Sequence, residues 1–149
     1  IMPGQQKRKQ SVRQKLNAMS AEFKNKNVLI VDDSIVRGTT SKEIVQMAKD
    51  AGANKVFFTS AAPPVRFPHV YGINMPNKDE LIAHDRTISQ IADQLRIDNL
   101  VYQSVDNLRK SIISDSPIKD LEMSCFTGSY VTGTVNQEYL NWVENEYKS

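Results

Sequence analysis

The feature that most constrains this chain is an apolar run, Val28–Val31, that stops abruptly on two aspartates, Asp32 and Asp33. A short run rich in β-branched residues, with no polar alternation, suits a parallel strand covered on both faces. Beyond the aspartates, a turn containing Gly38 leads into Thr39, Thr40 and Ser41. A helical pattern then runs to Asp50, with Ile44, Val45, Met47, Ala48 and Ala51 on its apolar side. Gly52 stands where a left-handed C-terminal cap is expected, and Lys55–Ser60 reads as the next strand. Strand, loop, helix and strand in that order make a βαβ unit, whose crossover is right-handed.

The rest of the chain repeats the theme. Ser11 is read as the N-cap of a helix from Val12 to about Phe23, with Leu16 and Phe23 inward. The polar stretch Gln5–Gln10 buries no face and is expected to be mobile unless a ligand orders it. Ala62–Pro64 breaks regular structure. Val70–Ile73 is predicted as a short strand and Asp79–Ala83 as a helical turn. Ile88, Ile91, Ala92 and Leu95 recur at helical spacing, and Leu100–Gln103 reads as a further strand. Val105–Ile113 is predicted helical with Leu108 and Ile112 inward, and Asn136–Tyr147 forms a closing helix. The class is α/β.

Ligands of open α/β sheets bind beyond the carboxyl ends of the strands, where Asp32 and Asp33 fall. The turn Ser34–Thr40 can present backbone N–H groups and hydroxyls at a helix N-terminus, where unpaired donors and the helix dipole favour a phosphate. Arg37 adds a charge-assisted donor, and Gly38 lets the backbone come close to the anion. Neither the ATP-type loop nor the dinucleotide fingerprint is present. Two carboxylates near a bound phosphate can accept hydrogen bonds from vicinal sugar hydroxyls and suit Mg²⁺. The plainer alternative is an aspartate-rich turn that merely caps the helix.

Charge and cysteine content narrow the classes. The formal net charge is +2 and the sequence pI about 8.7, too mild to imply nucleic acid. Positive charge is concentrated early, at Lys7, Arg8, Lys9, Arg13, Lys15, Lys24 and Lys26, which points to an anionic ligand or a solvated arm. The single cysteine, Cys125, excludes an internal disulfide and a cysteine-only metal site, which suits a reducing compartment. No apolar stretch approaches the ~20 residues of a membrane span. No signal peptide is recognisable at the start of the chain, and the cytoplasm is the expected location. His69 and His84 are read as structural, and Cys125 is not read as a nucleophile because no histidine partner is near in sequence.

An apolar strand, two acids and a Gly/Thr turn resemble the phosphoribosyl pyrophosphate (PRPP) motif of type I phosphoribosyltransferases. The resemblance goes further: residues 1–5, 11–17, 28–53, 60–66, 70–73 and 80–84 are similar to the amidophosphoribosyltransferase family, as is Cys125–Gly128. It covers most of the chain to about Tyr102. It implies a type I phosphoribosyltransferase-like parallel sheet flanked by helices, here as a fragment. Residues 1–125 would form the carboxyl-terminal portion of that domain, with a flexible loop at 1–19, and 126–149 a helical tail. The implied reaction is attack of ammonia on C1 of PRPP, giving 5-phosphoribosylamine and pyrophosphate at the start of purine synthesis. Asp32 and Asp33 would hold the ribose hydroxyls and associate with Mg²⁺. Ser34, Arg37, Gly38, Thr39 and Thr40 would wrap the 5-phosphate. Arg13 and Lys15 would belong to a loop that closes over pyrophosphate, Lys15 being the best-matched contact.

The family makes its ammonia in an N-terminal glutaminase domain, to which nothing in these residues corresponds, so glutaminase activity is not expected of this chain alone. Some members hold an iron–sulfur cluster on four cysteines; with Cys125 alone, none is expected here. Purine nucleotide inhibitors and a homo-oligomer are further implications, and neither nucleic acid nor membrane is an expected partner. The competing functional readings are a PRPP-sensing regulatory domain that binds DNA, a base-salvage phosphoribosyltransferase, and a non-catalytic assembly piece acting through the tail around Trp142.

Overall fold

The computed structural model describes residues 20–72 and 77–148. Its elements are α1 (Ser20–Phe23), β1 (Asn27–Asp32), α2 (Thr39–Asp50), β2 (Lys55–Ser60), a 3₁₀ turn (Lys78–Glu80), α3 (Ile88–Leu95), β3 (Asn99–Tyr102), α4 (Val105–Ile113), α5 (Ser124–Thr127) and α6 (Gln137–Lys148). The strands form one parallel sheet in the order β1-β2-β3. In register, Asp32 lies beside Ser60 and Ser60 beside Tyr102, so the three strands end at a common rim.

Three helices carry a local reason for one of their ends. Gly52 has φ 89° and donates to Lys49 O, while the Ala53 N–H reaches Ala48 O, which terminates α2 as the glycine predicted. Thr87 and Gln90 form a reciprocal capping box at the start of α3. Ser104 caps α4 by accepting from Asn107 N–H.

The core lies on one side of the sheet. Val56 and Phe58 of β2 and Leu100 of β3 meet Val45 and Ala48 of α2 and Ile91 and Leu95 of α3, all buried. Because the strand order advances in one direction, crossovers of the same hand place α2 and α3 on the same face. The opposite face is open at Leu29, Val31 and Val101, which are 62%, 69% and 56% exposed. The expectation that β1 is covered on both faces therefore fails among the described residues.

Smaller differences have local causes. Val70–Gly72 is irregular rather than a strand; the Tyr71 N–H turns back onto His69 Nδ1 and Gly72 takes φ 88°, which breaks extended pairing. Ile73 lies outside the described residues, as does the predicted helix from Val12 up to residue 19. The turn near Asp79 is 3₁₀ and starts at Lys78, because the Asn77 side chain accepts from both Asp79 and Glu80 N–H. On α4 the half-buried residues are Val105, Leu108 and Ile113, whereas Ile112 is 39% exposed. Among the described residues, no helix is long and apolar enough to cross a membrane.

Phe58 is fully buried between the sheet and both helices. Phe58→Ala should lower unfolding free energy by about 3–5 kcal/mol, read from urea denaturation followed by circular dichroism.

Candidate functional site

The rim beyond β1 is built by continuing the strand pairing into the loops. Asp32 O accepts from Ala61 N–H and Asp33 O from Ala62 N–H, both at 2.9 Å, so the two aspartates are held in register with the segment after β2. Ser60, buried to 2% exposure, fixes that segment by donating its hydroxyl to Ala62 O at 2.7 Å. Each carboxylate bonds the residue after it. Asp32 Oδ1 accepts from Asp33 N–H at 3.0 Å, and Asp33 Oδ1 accepts from the Ser34 hydroxyl at 3.1 Å. Among the described residues the Oδ2 atom of each carboxylate takes no hydrogen bond, which leaves acceptor capacity on both.

After the turn, α2 begins at Thr39 without a side-chain cap. Its first amides therefore have no intrahelical partner and none from a capping side chain. Thr39 and Thr40 are exposed, so their hydroxyls are not spent in the core. An uncapped helix start with exposed hydroxyls beside two carboxylates can receive an anion bearing a sugar. Aspartates that merely capped the helix would put a carboxylate on its first amides; here the carboxylates bind Asp33 N–H and Ser34 Oγ instead.

Gly38 has φ 74° and is buried. A Cβ there would run into Ile82 Cδ1 and lie 3.4 Å from Leu95 Cδ2. The glycine is thus demanded by the core behind the turn, a reason the sequence did not show. Ile35 is buried on the same side, and Ile82 N–H donates to Val36 O at 2.9 Å.

Arg37 is half-exposed, and its Nε donates to Glu80 Oε2 at 2.6 Å. Glu80 was not singled out as a site residue; its only sequence signal was membership of the 80–84 motif. Arg13 and Lys15 lie outside the described residues. The residues the structure brings together are therefore Asp32, Asp33, Ser34, Arg37, Gly38, Thr39 and Thr40, with Ser60, Glu80 and Ile82 in support. Among the described residues no group of three metal-binding side chains is assembled, so a cation here would draw on two carboxylates and the oxygens of a ligand.

The hydrogen bonds of the histidines and the cysteine go to other groups. His69 Nε2 meets Glu122 Oε2 at 3.0 Å, and His84 Nδ1 meets Arg66 O at 3.0 Å. Burial pushes the Cys125 thiol pKa up and the Glu122 charge pushes it further, which disfavours the thiolate a nucleophile needs. Cys125 instead serves through its carbonyl, which accepts from Arg66 and Phe67 N–H.

Comparison with known proteins supplies the kinship. The chain is 52% identical over 147 residues to amidophosphoribosyltransferase of Haemophilus influenzae, covering 98% of this chain and 29% of that protein. It is 56% identical over 142 residues to the amidophosphoribosyltransferase of Pasteurella multocida, covering 95% and 28% respectively. By sequence, the chain is a relative of the amidophosphoribosyltransferases. Its fold agrees: it superposes with TM-score 0.70 and 35% identity on glutamine PRPP amidotransferase from B. subtilis complexed with ADP and GMP, covering 92% of this chain and 30% of that one. No family model matches. The chain spans under a third of the length of the curated amidophosphoribosyltransferases it matches. The similarity extends well beyond the acidic motif, since 98% coverage takes in the loops that pack behind the turn.

Gly38→Ala would force a left-handed backbone on a residue with a Cβ and push it into Ile82. It should destabilise the protein by about 1–3 kcal/mol in urea unfolding, a larger effect than a surface Gly→Ala change produces.

Proposed function

We propose that this chain carries the PRPP site of an amidophosphoribosyltransferase, at which ammonia displaces pyrophosphate from C1 of the ribose to give 5-phosphoribosylamine, the first step of purine synthesis. One observation carries the reading: Asp32 and Asp33 stand at the sheet rim, directly before an uncapped helix start with exposed Thr39 and Thr40. The kinship with amidophosphoribosyltransferases supplies the chemistry that this geometry accommodates.

In this reading the free acceptors of Asp32 and Asp33 take the ribose 2- and 3-hydroxyls, orienting the ring. The 5-phosphate sits on the amides and hydroxyls of Ser34 and Arg37–Thr40, where the dipole of α2 favours its charge. Asp32 and Asp33 would also hold Mg²⁺ together with substrate oxygens; such an ion neutralises charge on the pyrophosphate. Arg13 and Lys15 are assigned to a loop that closes over the leaving group, adding cations where negative charge grows and excluding water from the activated sugar.

The bond balance needs no protein nucleophile. The ammonia lone pair forms the N–C1 bond as the C1–O bond breaks, its electrons leave with pyrophosphate, and the resulting ammonium gives up a proton. Positioning and electrostatics therefore carry the catalysis. Ammonia would come from glutamine through a glutaminase unit of the same protein. Purine nucleotides would be the feedback ligands, a reading supported by the B. subtilis neighbour, which is complexed with ADP and GMP. A cytoplasmic, homo-oligomeric enzyme completes the proposal.

Asp33→Asn keeps the shape of the side chain and removes its charge. It should weaken Mg²⁺-dependent PRPP binding about tenfold to a hundredfold in titration calorimetry while leaving the circular dichroism spectrum unchanged. Unchanged affinity would count against the assigned role.

A further inference from the structure

Behind the phosphate turn lies a strap, residues 80–86, that touches the turn at three points. Arg37 Nε donates to Glu80 Oε2 at 2.6 Å, and Ile82 N–H donates to Val36 O at 2.9 Å. Ile82 also fills the space where a Gly38 side chain would stand. Two partly buried arginines hold the strap from its other side. Arg66 Nη1 donates to Ala83 O at 2.7 Å and to Arg86 O at 3.0 Å, and Arg86 Nη1 donates to Leu81 O at 3.3 Å and Ile82 O at 3.0 Å. Among the described residues neither guanidinium forms an ion pair; their acceptors are main-chain carbonyls.

A cation drawn out of water without a carboxylate partner is costly, and here it is offset by carbonyl dipoles in a fixed fork geometry. That arrangement fixes backbone position rather than neutralising charge. The strap has little regular structure to fix it otherwise, being a run of turns after the 3₁₀ element. Arg66 is itself anchored, because its N–H donates to Cys125 O and its carbonyl meets His84 Nδ1. A continuous set of contacts therefore runs from Arg66 through the strap carbonyls and Ile82 to Val36 and Gly38.

We infer that Arg66 is a positioning residue for the phosphate turn, clamping the 80–86 strap against residues 36–38 so that the start of α2 is preformed for its anion. The inference rests on the PRPP reading for the identity of the ligand, though not for the clamp itself. A preformed turn loses less freedom when the ligand binds, so loosening the clamp should weaken binding without any contact between Arg66 and the ligand.

The test uses Arg66→Gln and Arg66→Lys in the otherwise unchanged protein. Amide exchange by NMR reads the clamp at Ile82 and Lys42, whose N–H groups bond Val36 O and Gly38 O of the turn. Calorimetry with PRPP and Mg²⁺ reads binding. In Arg66→Gln both amides should exchange about tenfold faster with those of Val56 and Phe58 unchanged, and affinity should fall about tenfold. Arg66→Lys, which keeps the charge and a donor, should fall between the two in both readouts. A folded Arg66→Gln with unaltered exchange at Lys42, or with faster exchange and unaltered affinity, overturns the positioning role. Should Arg66→Gln fail to fold, Arg66→Lys decides by the same two readouts: values matching the parent overturn the proposal. An absence of PRPP binding by the parent protein, with the exchange change present, removes the PRPP reading and leaves the clamp standing.

Discussion

Parallel pairing between β1 and β2 continues past the strand ends, and the site depends on it. The Ala61 and Ala62 amides bind the carbonyls of Asp32 and Asp33, so the acidic pair sits at a position set by the neighbouring strand. Main-chain hydrogen bonds are suited to this because they fix backbone direction while leaving side chains free. Each carboxylate then meets the residue that follows it, Asp32 the Asp33 N–H and Asp33 the Ser34 hydroxyl. Successive residues of a regular strand project to opposite sides; β1 ends at Asp32, so Asp33 is released from that alternation.

The turn that follows is specified from two directions. In front, α2 starts without a side-chain cap and exposes Thr39 and Thr40. Behind, Ile35, Ile82 and Leu95 close the core against Gly38. Close packing tolerates little change in volume, so the apolar side fixes where the polar side stands. A binding loop whose rear is part of the hydrophobic core is held in shape before any ligand arrives, which suits a proposed site for a polyanion that must be oriented for displacement at one carbon.

The segment around Cys125 contributes in the same structural manner. Its carbonyl takes two amides of the 66–67 loop, Tyr130 donates to Pro68 O, and Glu122 pairs with His69. Burial opposes ionisation of Glu122, but hydrogen bonds from Ser124 and the proximity of His69 outweigh it and hold the carboxyl below the usual range. Tyr102, at the end of β3, has its hydroxyl pKa pushed up to about 12 by burial, against the lowering influence of Arg66. These groups shape the surroundings of Arg66 and of the loop that carries it.

Local sequence determined most of the elements. β-branched Val28, Ile30 and Val31 marked a strand, Gly52 ended α2, and the spacing of Ile91 and Leu95 marked a buried helix face, because these signals depend on neighbours within one or two turns of chain. The acidic pair and the Gly/Thr turn were legible for the same reason. The tertiary structure alone decided that Gly38 answers to Ile82, that Arg37 pairs with Glu80, and that Leu29 and Val31 lie on an open face. Those facts join residues some forty positions apart, or follow from which side both crossovers take. Periodicity along a chain reports which residues share a face, but it does not report what meets that face across space.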